Sequence, residues 1–190
     1  PLNLRGMIGH YYAPSNFNTF ELKKNYKGSE PSMERPKEWV SVNINNEGVR
    51  ETYKAKDTKG TIVVLGDSYT FGVYVNDFDT YPSVLSKLLE KEGSPYKVIN
   101  AGYASGFGTD EQYAWLNHYY INKKICPKFV ILGLFSGNDI LQLDQLNWRK
   151  KDEYGMPLSV INNKLIVTEE GYIRNKERSD ITVGTALIYK

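Results

Sequence analysis

The run Thr61-Ile62-Val63-Val64-Leu65, followed at once by Gly66-Asp67-Ser68-Tyr69-Thr70-Phe71-Gly72, constrains the fold of this chain more than any other stretch. Its first five residues carry four β-branched side chains with no polar alternation, the pattern of a central parallel strand covered on both faces. Gly66 lets the backbone turn where a Cβ would resist, and it delivers Asp67 and Ser68 to the carboxyl end of that strand. In an open α/β sheet, ligands bind at that end. A serine there serves as a nucleophile, as a phosphate-loop hydroxyl or as a helix cap, and the run alone leaves all three open.

Two further strands are expected downstream. Thr80 is a suitable N-cap and Pro82 falls in the first turn of a helix whose Tyr81, Val84, Leu85, Leu88 and Leu89 share an apolar face; Gly93 ends it. Tyr96 to Asn100 reads as a strand that opens into a loop, Ala101 to Gly108, holding three glycines. Thr109 with Gln112 has the form of a capping box, so a helix is expected from Asp110 to about Lys124, and Pro127 bars its continuation. Phe129 to Phe135 is the next strand, apolar on both faces, and it ends at Ser136-Gly137-Asn138-Asp139. Strands that each close on a glycine-bearing polar loop, the first two leading into helices, imply a doubly wound parallel sheet.

The flanks read differently. Residues 1 to 38 show no sustained period and are expected to form an irregular arm; Trp39 to Ile44 alternates as a short half-exposed strand, and Lys54 to Lys59 is a charged connector. After Leu143, Leu158–Ile161 and Leu165–Val167 are expected to pair as a hairpin across Asn162-Asn163. The chain thus divides into an arm with a short strand (1–60), an α/β core (61–145) and a hairpin with the rest of the same domain (146–190).

Composition excludes several classes of function. A net charge of +2 with dispersed Lys and Arg gives no nucleic-acid footprint. Cys126 is the single cysteine, so no internal disulfide or cysteine-built metal site is possible, and His10 and His118 do not make a histidine cluster. No apolar run approaches the roughly 20 residues of a membrane helix. Pro1 in place of methionine is read as a processed or trimmed start.

Gly66-Asp67-Ser68-Tyr69, the glycine loop after Asn100 and Gly137-Asn138-Asp139, in that order and each at a strand end, resemble the first three motif blocks of the SGNH (GDSL-type) hydrolase family. The resemblance implies a flavodoxin-like, three-layer α/β/α domain acting as an esterase, lipase-like enzyme, carbohydrate O-deacetylase or acyltransferase on a small-molecule or carbohydrate acyl ester. Acetyl on a sugar leads, and neither metal nor cofactor is implied. Ser68 matches the nucleophile of the first block, Gly106 the backbone donor of the second and Asn138 the side-chain donor of the third. Gly102 competes with Gly106, because both follow Asn100 in one loop. Asp67 and Asp139 are expected to fix their turns by accepting backbone hydrogen bonds.

The family's terminal Asp-x-x-His block is absent: no histidine follows His118. The chain is therefore expected to be a fragment lacking its catalytic base, from a family branch commonly found outside the cytoplasm. Two other readings stay open, a glycan-binding module that has lost the histidine and a phosphate- or flavin-binding flavodoxin-like module using Ser68, Tyr69 and Thr70.

Overall fold

The structure, a computed structural model, describes residues 10–32, 35, 37–94, 96–104, 107–137, 139, 147–151, 153, 157–161, 165–169 and 171–175. Strands β1 (Tyr12–Ala13) and β2 (Glu21–Leu22) pair antiparallel, as do β3 (Lys27–Pro31) and β4 (Trp39–Asn43). The expected irregular arm is therefore built from short ribbons. Its order comes from burial rather than local period: Tyr11, Tyr12, Phe17 and Phe20 insert into the main core beside Phe71, Tyr103, Phe107 and Trp115. Burying aromatic rings contributes on the order of 2 kcal/mol each, enough to hold strands too short to persist alone.

The sheet that follows comprises β5 (Gly60–Gly66), β6 (Tyr96–Gly102) and β7 (Phe129–Gly133), parallel throughout and ordered β6-β5-β7. Between them lie the single turn α1 (Ser68–Phe71), α2 (Tyr81–Lys91) and α3 (Thr109–Tyr119). Because β6 and β7 flank β5 on opposite sides, right-handed crossovers must place their helices on opposite faces. They do: Ile62, Val64 and Val98 face Leu85 and Leu89 of α2, whereas Val63 and Leu65 join the core that holds Trp115 of α3. The doubly wound α/β/α layering is present.

Several local expectations are corrected. On α2, Val84 and Leu88 are exposed, and Ser83 and Ser86 are buried instead. Ser83 Oγ accepts the Tyr53 N–H at 2.8 Å and Ser86 Oγ donates to the Tyr53 carbonyl at 2.9 Å, so the helix turns a polar seam toward the connector. The N-cap of α3 is Gly108, not Thr109, with Glu111 Oε2 accepting the Gly108 N–H at 3.0 Å. The helix stops at Tyr119 and gives way to a 3-10 turn, Ile121–Lys123.

The turn expected at Asn162-Asn163 lies outside the described residues, and the two strands on either side of it pair with other strands. Strand β8 (Asn147–Lys151) pairs with β9 (Pro157–Ile161), and β10 (Leu165–Val167) with β11 (Ile173–Asn175). Gly171, at φ +91°, supplies the reversal for the second ribbon, and the Thr168 N–H donates to the Tyr172 carbonyl across it.

The two edges of the main sheet differ. Along β6, Arg50 bridges to Asn100 and Thr52 Oγ1 donates to the Val98 carbonyl. Among the described strands β7 pairs with β5 alone, and Phe129, Val130, Ile131 and Leu132 are all exposed, on both of its faces. Its apolar sequence is that of a buried strand, and no described element covers it.

Candidate functional site

The parallel register lines up Gly102, Gly66 and Gly133 in one row across the carboxyl ends of the three strands. A Cβ would lie 2.0 Å from Thr70 Oγ1 at Gly66, 2.3 Å from the Phe71 nitrogen at Gly102, and 2.6 Å from Thr70 Oγ1 at Gly133. The row is thus a floor that seats α1 directly on the strand ends, and Ser68 is the first residue of that turn. It lies where the crossovers reverse direction between β5 and β7, the crevice where open α/β sheets bind ligands.

The turn is pinned at both ends. Asp67 is its N-cap, with Oδ1 accepting the Tyr69 N–H at 3.0 Å, and Gly72 closes it at φ +82°, its N–H donating to the Ser68 carbonyl. Arg50, fully buried, clamps the far end. Its Nε donates to Asp77 Oδ1 at 3.0 Å, Nη1 to the carbonyls of Phe71 and Gly72 at 2.8 and 2.7 Å, and Nη2 to those of Ser41 and Val75 at 2.9 and 2.5 Å. Every N–H of the guanidinium is used, and its carbon stands 4.6 Å from the centroid of the Phe71 ring. Ser68 is half-buried, and its hydroxyl forms no hydrogen bond with a described residue.

Both motif aspartates act on backbone, as the sequence suggested. Asp139, wholly buried, accepts the Phe135 N–H at 2.9 Å through Oδ2, and its own N–H donates to the Phe135 carbonyl at 3.1 Å. Burial raises the pKa of Asp67 and of Asp139, and the Asp67 charge raises that of Asp139 further. Each keeps one buried oxygen, Asp67 Oδ2 and Asp139 Oδ1, without a described partner.

Of the expected site residues, Ser68 stands at the carboxyl end of the central strand. Gly106 and Asn138 lie outside the described residues. Gly102 is not free to serve as a donor, since its N–H is spent on Asn100 Oδ1 at 3.0 Å and its place in the floor accounts for the missing side chain. Neither histidine bonds to Ser68. His10 Nε2 meets the Tyr26 hydroxyl, and His118 stacks on Phe17 with centroids 3.9 Å apart and planes 2° from parallel. Burial lowers the pKa of both imidazoles.

Arg50 was not singled out from sequence: it stands between Gly48-Val49 and Glu51, with nothing local to mark it as a clamp. Tyr81 reaches Thr70 Oγ1 with its hydroxyl at 2.8 Å, over Gly133. Tyr69 and Phe135 form a tilted aromatic pair, centroids 4.9 Å apart at 45°; the aromatic following Ser68 was the available signal. Among the described residues no group of three or more His, Cys, Asp or Glu could hold a metal ion, and no helix is long and apolar enough to cross a membrane.

Fold and site together define a parallel α/β domain with a serine at the crossover of a doubly wound sheet, its hydroxyl bonded to no described residue. No family model matches the chain, and no curated protein does. Among solved structures, the crystal structure of AlinE4, a SGNH-hydrolase family esterase, is similar at 25% identity with a TM-score of 0.38, covering 48% of this chain and 46% of that one. The chain therefore spans about half the length of that esterase.

Proposed function

We propose that this domain belongs to a serine-dependent acyl-ester hydrolase or acyltransferase, with Ser68 as nucleophile. The observation that carries the reading is the seat of Ser68: the first residue of a turn fixed at both ends over the β5–β7 crevice, its hydroxyl bonded to no described residue. In the reaction Ser68 Oγ attacks the ester carbonyl, its proton passes to a base, and the tetrahedral oxyanion collapses with loss of the alcohol. Water or a second alcohol then takes the acyl group from Ser68. Backbone N–H groups of Ser68 and Gly106 with the Asn138 amide are the donors we assign to the oxyanion; losing one such donor lowers kcat by about 10²- to 10³-fold.

The base is not supplied by either histidine, since both rings are engaged with aromatic partners elsewhere. Asp67 caps α1 through Oδ1, and no described hydrogen bond joins its carboxylate to the Ser68 hydroxyl. We propose that a histidine other than these two supplies the base. The exposed apolar faces of β7 leave that edge of the site open to a further segment. Hydrolysis of an activated acetate ester tests the reading, measured on this chain and on a longer polypeptide that contains it, each with Ser68→Ala. Ser68-dependent turnover in the longer protein and a rate lower by about 10⁴ in this chain are expected. Turnover unaffected by Ser68→Ala would refute it.

A second reading is a glycan-binding module on the same fold, favoured by the absence of any described base at Ser68. Inactivity of both polypeptides with retained sugar binding would select it.

A further inference from the structure

Two exposed aromatic rings stand beside Ser68, and the backbone under each is held by a buried carboxylate. Tyr69 follows Ser68 directly, is 67% exposed, and takes its backbone anchor from Asp67 Oδ1. Phe135, 41% exposed, lies just past β7 on the other side of the crevice and is tied through its N–H and its carbonyl to Asp139. Gly137 leaves room for the Phe135 ring to fold back on its own turn: a Cβ there would sit 2.7 Å from Cε1 and Cζ of that ring. The molecule thus fixes the main chain of two large apolar side chains and then leaves their faces in solvent. Exposing rings costs hydrophobic stabilisation, and anchored backbone beneath them lowers the entropy lost when something settles on them.

We propose that Tyr69 and Phe135 form the wall that receives the carrier of the ester, and that the carrier is a pyranose whose C–H face lies on these rings. The proposal rests on Ser68 being the acyl-transfer nucleophile. An acyl chain gains affinity by enclosure in an apolar slot. Two rings tilted 45° and open to solvent enclose nothing. A sugar ring has an apolar face of axial C–H groups and a polar rim. Tyr69 matches it with a ring face and a hydroxyl that bonds to no described residue. Placed on the wall, a sugar would present an acyl oxygen bond at its rim to Ser68, one residue away along α1.

Binding is measured in the Ser68→Ala protein, so no chemistry is required. The probes are partly O-acetylated xylotriose and glyceryl monobutyrate, a short ester without a pyranose ring. Calorimetry gives affinity, and amide ¹H–¹⁵N shifts locate the contact. The xylotriose ester is expected to shift the Tyr69 and Phe135 amides and to bind at least about tenfold more tightly than the glyceryl ester. Tyr69→Ala and Phe135→Ala, added singly, are expected to weaken it about tenfold each, whereas Tyr69→Phe should stay within about threefold. Unchanged thermal melts show that the alanine variants fold. Equal affinity for the two probes, shifts elsewhere, or no effect of Tyr69→Ala would overturn the proposal. So would self-association of the chain that Tyr69→Ala abolishes, since the wall would then be an interface between copies. In the longer polypeptide that contains this chain, absence of sugar binding with Ser68-dependent ester cleavage retained refutes the wall alone; sugar binding retained there without cleavage refutes the reaction alone.

Discussion

Arg50→Met tests whether the guanidinium clamp holds the serine turn in place. Methionine preserves most of the buried stem and removes every donor. Asp77 keeps two bonds from Asn43, the N–H at 3.0 Å and Nδ2 at 2.6 Å, so its carboxylate loses its cation but not all of its donors. Breaking a buried ion pair from one side costs about 3 to 5 kcal/mol, and the Asn43 bonds place this case toward the lower end. The carbonyls of Phe71 and Gly72 keep a second donor, Asn100 Nδ2 and the Val75 N–H, whereas that of Val75 loses its guanidinium donor at about 1 kcal/mol or more. With about 3 kcal/mol from the ion pair, a total near 4 kcal/mol follows, a large part of the stability of a domain. Urea unfolding followed by circular dichroism reads the loss, and hydrogen exchange at Phe71 to Val75 shows whether it is concentrated in the clamped segment. Arg50→Met/Asp77→Leu should recover about 1.5 kcal/mol or more relative to Arg50→Met, since the buried charge is then gone. A loss below about 1 kcal/mol, with exchange unchanged at Phe71 to Val75, would refute the clamp.

Glu30 is buried, its carboxylate oxygens meet no described hydrogen-bond partner within normal geometry, and burial raises its pKa from 4.5 to about 7. The folded state then holds the proton more tightly than the unfolded one. Stability from this group is full below pH 4.5 and lost as pH rises through about 7, up to roughly 3 kcal/mol, and Glu30→Gln should flatten that slope in denaturation at pH 5 and pH 8. Glu111, raised by burial to about 7, adds a slope of the same sign, so the Glu30→Gln variant should keep a residual one. Gly102→Ala places a methyl 2.3 Å from the Phe71 nitrogen, and a loss of about 2 kcal/mol or more is expected in a thermal melt. Asp67→Ala removes the cap of α1 and should cost about 1 kcal/mol while loosening the Tyr69 amide in hydrogen exchange.

The sheet and its polar ends were legible because parallel strands announce themselves locally: Thr61–Leu65 and Phe129–Leu132 are unbroken apolar runs, and each stops at glycine. The row of glycines under Ser68 was visible as three separate residues, but their alignment is a property of register, which no single strand contains. The ribbons of the arm were not legible, because their order comes from partners far along the chain. Phe17, for instance, stacks on His118, and the Asn18 side chain donates to the Glu111 carbonyl. The expected hairpin favoured Asn162-Asn163 over Gly171, although only the latter is seen to close a ribbon. Arg50 was illegible for a related reason, as its five acceptors are scattered from Ser41 to Asp77. Expected burial of β7 failed because apolar sequence records what a strand is suited to, and its cover is not among the described elements.

The central claim, that Ser68 is the nucleophile of an acyl-transfer site, is tested most directly by covalent trapping. An alkyl fluorophosphonate is attacked by a serine oxygen with loss of fluoride, and free imidazole in solution can accept the proton that no described side chain takes. Peptide mass mapping of the 190-residue chain should show an adduct on Ser68, formed faster with imidazole and absent in Ser68→Ala. No adduct on Ser68 at any imidazole concentration, in a chain that circular dichroism shows to be folded, would contradict the account.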